Sequence, residues 1–431
     1  MPVIFTSLLF ICLTLSGMAQ TLSSKTFLIR AGKLYDSEQQ RFFVNQDILI
    51  QNGLVQAVGP KLRMPKGATV VDLRQHTVTP GLIDAHTHLL INQKQTKTGL
   101  EDASKIPAEE RLRQGLRFAR SNLEAGLTTV RDLGNSGQYL DSQLQKKLAT
   151  NPSLGPEMVV SGPILSPPGG QFGKLFPADS FVIQQEYRVI RGPADARAAV
   201  LEHLQHGVNV IKVCMNTDNR VLAPDEIRSI VTTAHENRIP VTAHATYDES
   251  ARDAVLAGVD GIEHGYSLSD STLTLMAQKG VYLVPTDVSR QKAGIMVAGI
   301  GMQGKEAEEY TTTALKSFHD RLNRAVQKGV PIVAGSDYYF DINGIGRGEG
   351  AVDVILSYYE AGLPASDVLR FATYNAAKAL GISQRVGILK PGMQANLAAF
   401  RGDLETAFPQ SLPQVEWVMR NGHVVYHSLK K

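Results

Sequence analysis

A chain of 431 residues can hold an α/β barrel of ordinary size, about 250 residues, and still leave material for a second, smaller module. Its 44 basic and 41 acidic residues are spread along the whole length for a formal charge of +3, so no basic stripe marks a nucleic-acid partner. With 43% hydrophobic residues and no low-complexity tract, the composition excludes a disordered chain and implies a large core.

The first nineteen residues, MPVIFTSLLFICLTLSGMA, contain no Asp, Glu, Lys or Arg and carry one apolar run from Val3 to Leu15. The run is short for a membrane span, and Gly17 and Ala19 put small residues where a signal peptidase needs them. Residues 1–19 are therefore expected to be a signal peptide, with the mature chain starting at Gln20. The alternative is an uncleaved anchor or a buried first strand. Cleavage implies a secreted or periplasmic protein with no membrane span. It also removes Cys12, so Cys214 is the one thiol left and no internal disulfide forms.

From Thr26 to Thr79 the pattern is short strands and tight turns, and Asn52-Gly53 between two alternating apolar runs is a hairpin signal. The segment from Val386 to Tyr426 has the same character, with a second Asn-Gly pair at Asn421-Gly422 and the single tryptophan, Trp417, expected in its core. Residues 24–79 and 386–428 are accordingly expected to form one discontinuous β domain, a small β-sandwich, flanking a central domain over 80–385.

In that central domain, apolar strand-like runs alternate with stretches of helical period, the mark of a parallel α/β architecture. Eight strand candidates can be counted: GLIDAHTH, TTVRDLG, EMVVSGP, VNVIKVC, IPVTAHA, GVDGIEHG, VYLVPT and VPIVAGSD. The count predicts a (β/α)8 TIM barrel. Leu112, Leu116, Ala119 and Leu123 keep one apolar helical face, and another helix is expected to open at Pro224 with Asp225 and Glu226 in its first turn. The stretch from Ile164 to Arg191 shows no period and is expected to be a loop over the barrel mouth, either functional or a solvated insertion.

The chemistry gathers at strand ends. In GLIDAHTH, His86 and His88 are two apart and share a strand face, so at the carboxyl end of a barrel strand both imidazoles can reach one metal. Lys212 in VNVIKVC, His244 in VTAHA, His264 in GIEHG and Asp337 in VAGSD each end an apolar run in the same way. Burying any one of them alone would be costly, and repetition of the pattern argues for convergence on a shared site.

These segments resemble the amidohydrolase superfamily, in the branch related to imidazolonepropionase and to prolidase-like Xaa-Pro dipeptidases. The likeness runs from about Thr26 to Tyr426 and includes TPGLIDAHTH, GLTTVRDLG, AHA, IEHG, AGSD, ATYNAAKALG and LKPGMQANL. It implies that His86 and His88 hold one divalent metal ion, that His244 and His264 hold another, and that Lys212, carboxylated by CO2, bridges the two. Zinc is favoured by the histidine-rich set, with manganese or cobalt also compatible. Asp337 is then a ligand and the proton carrier for a metal-activated water.

Some positions depart from the family or stay open. Where prolidase-like relatives often carry Gly-Gly-His, this chain reads Gly169-Gly170-Gln171, and Gln171 lacks the charge a histidine could offer a carboxylate. Asn396 stands where relatives have Asp. Tyr247 resembles a substrate-contacting tyrosine of the peptidase branch or is an ordinary loop tyrosine. Arg131 either binds an acidic substrate group or pairs with Asp132. Cys214, on the strand face of Lys212, is either a further soft ligand or an apolar filler. Glu263 is expected to face away from the interior.

The resulting expectation is a hydrolase of amide carbon–nitrogen bonds in a small-molecule substrate, with dipeptides or N-acyl amino acids as the leading class. Ring opening by a cyclic amidohydrolase, or deamination, is the enzymatic rival; single-metal members of that kind generally lack the bridging lysine. The rival from another class is a non-catalytic binding protein on a hydrolase scaffold. Oligomeric state is left open, a homo-oligomer included.

Overall fold

The computed structural model describes residues 25–171, 176–177, 179–216, 221–342 and 345–428. The expected signal peptide lies outside them. Four strands open the described chain: β1 (Thr26–Asp36), β2 (Arg41–Gln51), β3 (Leu54–Gly59) and β4 (Thr69–Pro80). β1 pairs antiparallel with β2 and parallel with β4. Between β2 and β3, Asn52 and Gly53 have φ of 54° and 77°, the left-handed pair that a two-residue hairpin requires.

Short parallel strands follow. β5 (Leu82–Thr87), β6 (Leu127–Asp132) and β7 (Glu157–Val160) form one sheet. β8 (Ile164–Ser166), β9 (Tyr187–Val189), β10 (Ile211–Cys214), β11 (Val241–Tyr247), β12 (Gly261–Ser267) and β13 (Tyr282–Val284) form a second, in the order β13-β12-β11-β10-β8-β9. Single backbone bonds tie the two together at both margins. Asn209 donates to the Val160 carbonyl at 2.8 Å, while on the other side residues 332–338 run between β13 and β5. There Val333 donates to Leu283 at 2.9 Å, Ala85 to Ala334 at 2.9 Å and Asp337 to His86 at 2.8 Å. The eighth expected strand, VPIVAGSD, is thus paired on both sides, but through isolated bridges at Ile332 and Tyr338 and not as one regular strand.

Helices connect these strands, among them Ala108–Glu124, Pro193–Gln205, Pro224–Glu236 and Asp248–Ala257. Ala199, Ile230 and Ala254 from the helices meet Val213, Ala243 and Ile262 from the strands in the largest core. Each large aliphatic side chain buried there contributes about 1.5–3 kcal/mol, which fixes the strand ends that carry the chemistry. The helix expected at Pro224 starts there, and Glu226 accepts from the Ala223 and Gly192 amides at 2.9 and 2.6 Å.

The segment expected to be an unstructured loop, 164–191, is a correction. It contains β8, a helix at Phe181–Glu186 and β9, elements too short to show a period in sequence. Glu186 anchors it: its carboxylate pairs with Arg111 at 2.7 Å, both side chains fully buried.

β14 (Leu397–Arg401), β15 (Val415–Arg420) and β16 (His423–His427) return to the first sheet, whose order is β16-β15-β14-β4-β1-β2-β3. The seven strands are one continuous sheet where a sandwich was expected, and the sheet curls on itself. Val55 donates to Met393 and Ala395 to Gly53, each at 2.8 Å, so residues 392–395 cover the β3 edge. The two Asn-Gly turns meet: a Cβ on Gly422, at φ 73°, would lie 2.4 Å from the Gly53 Cα. Trp417 lies in the enclosed core with Ile29, Ile48 and Leu73.

Candidate metal centre

The parallel strands bring six sequence-predicted side chains together at their carboxyl ends. His86 comes from β5 and His88 from the residue after it, Lys212 from β10, His244 from β11, His264 from β12, and Asp337 from the 332–338 stretch. The first five are buried, and Asp337 keeps 18% of its side chain exposed. Asp337 Oδ1 lies 3.1 Å from His88 Nε2 and 3.5 Å from His86 Nε2, and Oδ2 lies 3.8 Å from His264 Nδ1. The His244 and His264 rings are 4.6 Å apart, and the His86 ring is 5.2 Å from His264. Ligand atoms of His86, His264 and Asp337 fall within 4.8 Å of one another, close enough to take part in metal binding. All six line one cavity of about 20 Å3.

Two of these residues have left-handed backbones. His264 has φ 69° and Asp337 φ 48°, an uncommon state for a non-glycine residue that the surrounding packing must hold in place. At His264 this has a direct consequence, because it breaks the strand alternation. Ile262 packs outward with the helices, so Glu263 on the opposite face points inward by ordinary alternation, against expectation, and its fully buried carboxylate meets His86 Nδ1 at 2.7 Å; it is the His264 side chain that the left-handed backbone brings in beside it.

Burial sets the electrostatics. Desolvation pushes the Lys212 ammonium down to about 8, and Lys212 Nζ has no hydrogen-bond partner among the described residues. Desolvation and the Lys212 charge lower His86 to about 4 and His244 to about 3, so these imidazoles are neutral and carry lone pairs. His264 is driven down by burial and the neighbouring imidazoles. Burial alone would raise Asp337, but His86, His88 and Lys212 outweigh it and keep its carboxyl below the usual range.

A second layer of bonds orients the first. His88 Nδ1 meets the Gly134 carbonyl at 2.7 Å, and His264 Nδ1 meets Thr286 Oγ1 at 2.9 Å. Gln171 Nε2 sits 3.1 Å from His244 Nδ1, which brings this open candidate to the site. Arg131 does not face a substrate and does not pair with Asp132. Its fully buried guanidinium is bonded to Glu263, Tyr282 and the Ala85 carbonyl, while Asp132 accepts from Leu89 N and Ser136. Tyr247 is 56% exposed and is not part of the cavity wall. Cys214 is filler: its thiol, pushed up to about 12 by burial, bonds the Asn216 carbonyl at 3.2 Å.

Gln93, Asn135 and Tyr339 also line the cavity and were not singled out in sequence. Asn135 follows VRDLG and Tyr339 follows AGSD, so position just beyond a strand end was the available signal. Asp84, inside GLIDAHTH, accepts from the His86 and Ser336 amides at 3.0 and 2.9 Å and so locks the first and last site-bearing strands together.

The chain belongs to the amidohydrolase family, whose profile matches residues 77–425. Members of this family hydrolyse carbon–nitrogen bonds. Ochratoxinase from Aspergillus niger is 27% identical over 418 residues, covering 89% of this chain and 82% of that protein. Imidazolonepropionase from Geobacillus thermodenitrificans is 23% identical over 421 residues, covering 90% and 91%. Among solved structures, a Xaa-Pro dipeptidase with methionine bound in its active site superposes with a TM-score of 0.79 at 25% identity, covering 93% of this chain and all of that one. A prolidase complexed with N-methylphosphonate-L-proline gives 0.81 at 25% identity over 94% of this chain and 100% of that one.

Proposed function

We propose that this chain is an exported, metal-dependent amidohydrolase that cleaves dipeptides or N-acyl amino acids at the carboxyl end of a closed (β/α)8 barrel, with 24–79 and 386–428 as its discontinuous β domain. The observation that carries the metal reading is the Lys212 Nζ: buried, without a hydrogen-bond partner among the described residues, and in one cavity with four histidines and Asp337. An ammonium buried there makes no hydrogen bond, whereas an amine that has lost its proton can add CO2, release a further proton and become a carbamate with two oxygens for two ions. The donors fit: His86 and His88 for one ion, His244 and His264 for the other, Lys212 between, and Asp337 within reach of both histidine pairs. Zinc matches the imidazole donors best.

Divalent ions bound there would supply a water that ionises near neutral pH and a Lewis acid for the substrate carbonyl. Asp337 Oδ1 accepts the proton from the attacking water and delivers it to the departing nitrogen, so the new C–O bond forms and the C–N bond breaks without a free anion leaving. Glu186 and Arg111 hold the 164–191 segment against the site, and Gln171 from that segment offers an amide to the substrate.

A screen of dipeptide and N-acyl amino acid libraries on metal-analysed protein tests the substrate class. Turnover of at least one member is expected; hydrolysis confined to cyclic amides would replace this reading with ring opening. Mass spectrometry of the exported protein tests the localisation, with Gln20 expected at the N-terminus and a retained Met1 contradicting it.

A further inference from the structure

We propose that Glu263 is the positioning residue of His86, mounted by Arg131, Thr242 and Tyr282, and that this mount fixes which imidazole nitrogen faces the metal cluster. The inference rests on the metal reading above. Glu263 Oε1 accepts from Arg131 Nη2 at 2.7 Å and from the Thr242 hydroxyl at 2.5 Å, leaving Oε2 to His86 Nδ1 at 2.7 Å. A carboxylate only accepts, and with a guanidinium beside it the ionised form is the one held in place. His86 must then carry its hydrogen on Nδ1, which presents the Nε2 lone pair towards Asp337.

Arg131 in turn is bonded through each of its three nitrogens. Nε donates to the Ala85 carbonyl at 2.6 Å and Nη1 contacts the Tyr282 hydroxyl at 2.7 Å, so the guanidinium cannot swing away from Glu263. The arrangement is not catalytic, because Glu263 is fully buried behind His86 with both oxygens occupied and cannot touch a substrate. It is also unequal. His88 is oriented by a neutral backbone carbonyl, that of Gly134, whereas His86 is oriented by a charged carboxylate. A charge-assisted bond of that kind makes the imidazole a stronger donor, so His86 is the nitrogen ligand whose affinity the chain has raised through a charged side chain, where His264 and His244 meet a hydroxyl and an amide.

Two readouts test this without relying on activity. Long-range proton–nitrogen NMR on metal-free wild-type protein is expected to show His86 protonated on Nδ1; protonation on Nε2 overturns the proposal. Chelator-competition titration with zinc is expected to show Glu263→Gln binding roughly 10- to 100-fold more weakly, with kcat at saturating zinc falling less than the affinity. Wild-type zinc affinity in Glu263→Gln overturns it. Should that variant fail to fold, Thr242→Val, which removes one bond to the carboxylate, is expected to give a smaller loss in the same direction, and unchanged affinity there overturns the proposal equally. If wild-type protein takes up no zinc at all, it is the metal reading that fails, and the tautomer measurement still decides the role of Glu263.

Discussion

At the amino ends of the parallel strands lies a cavity of about 860 Å3, with Pro240, Val281 and Val333 in its wall and Arg238, Lys279 and Lys378 also lining it. At the carboxyl ends lies one of about 20 Å3 that gathers four histidines, a lysine and an aspartate. By volume alone the first would be taken for the active site. What separates them is desolvation: His86, His244 and Lys212 are buried and shifted to about 4, 3 and 8, while at the amino end Lys279 is exposed and His235 is satisfied by Asp260 at 2.9 Å. Convergent groups whose protonation has been altered by burial mark chemistry better than open space does.

Three substitutions sharpen that contrast, in falling order of effect. Lys212→Ala should lose bound metal and activity together, by more than the roughly 10- to 100-fold that removal of an outer partner costs, and short carboxylic acids should restore part of both. Full metal stoichiometry at an unchanged rate would make Lys212 an ordinary strand residue. Asp337→Asn should keep much of its metal, since the amide retains a coordinating oxygen, yet lose roughly a hundredfold to ten-thousandfold in kcat because it cannot take the proton. Near wild-type kcat with full metal would leave Asp337 as a ligand only. At the other end, Lys279→Ala should change neither kcat nor metal content, and stability by no more than about 0.5 kcal/mol; a tenfold fall in kcat would give that cavity a part in the reaction.

Much of this was legible in the sequence because it depends on local rules. Seven of the eight expected runs became regular strands, both Asn-Gly turns became hairpins, and the six residues expected to ligate metal, from His86 to Asp337, arrived at one place. Failures came where a local rule was overridden at a distance. Period-two alternation counted from an inward His264 put Glu263 outside, but the left-handed φ makes His264 the exception, and Glu263 faces inward opposite Ile262. Arg131 was read against its neighbour Asp132, whereas its partner, Glu263, is 132 positions away. The 164–191 segment hides two three-residue strands, which pair with each other and, through β8, with β10. Nor did two similar hairpin regions reveal that they belong to one curled sheet, since contact between Gly53 and Gly422 leaves no trace in either segment alone.

If the buried cluster at the carboxyl ends is a metal centre for amide hydrolysis, turnover must depend on metal. Stripping the purified wild-type protein with chelator, restoring zinc in steps, and measuring metal per chain and turnover on the same preparation tests it most directly. Metal-free protein is expected to be inactive, with activity rising to its maximum as two ions bind per chain. Full turnover by protein shown to be free of metal would contradict it.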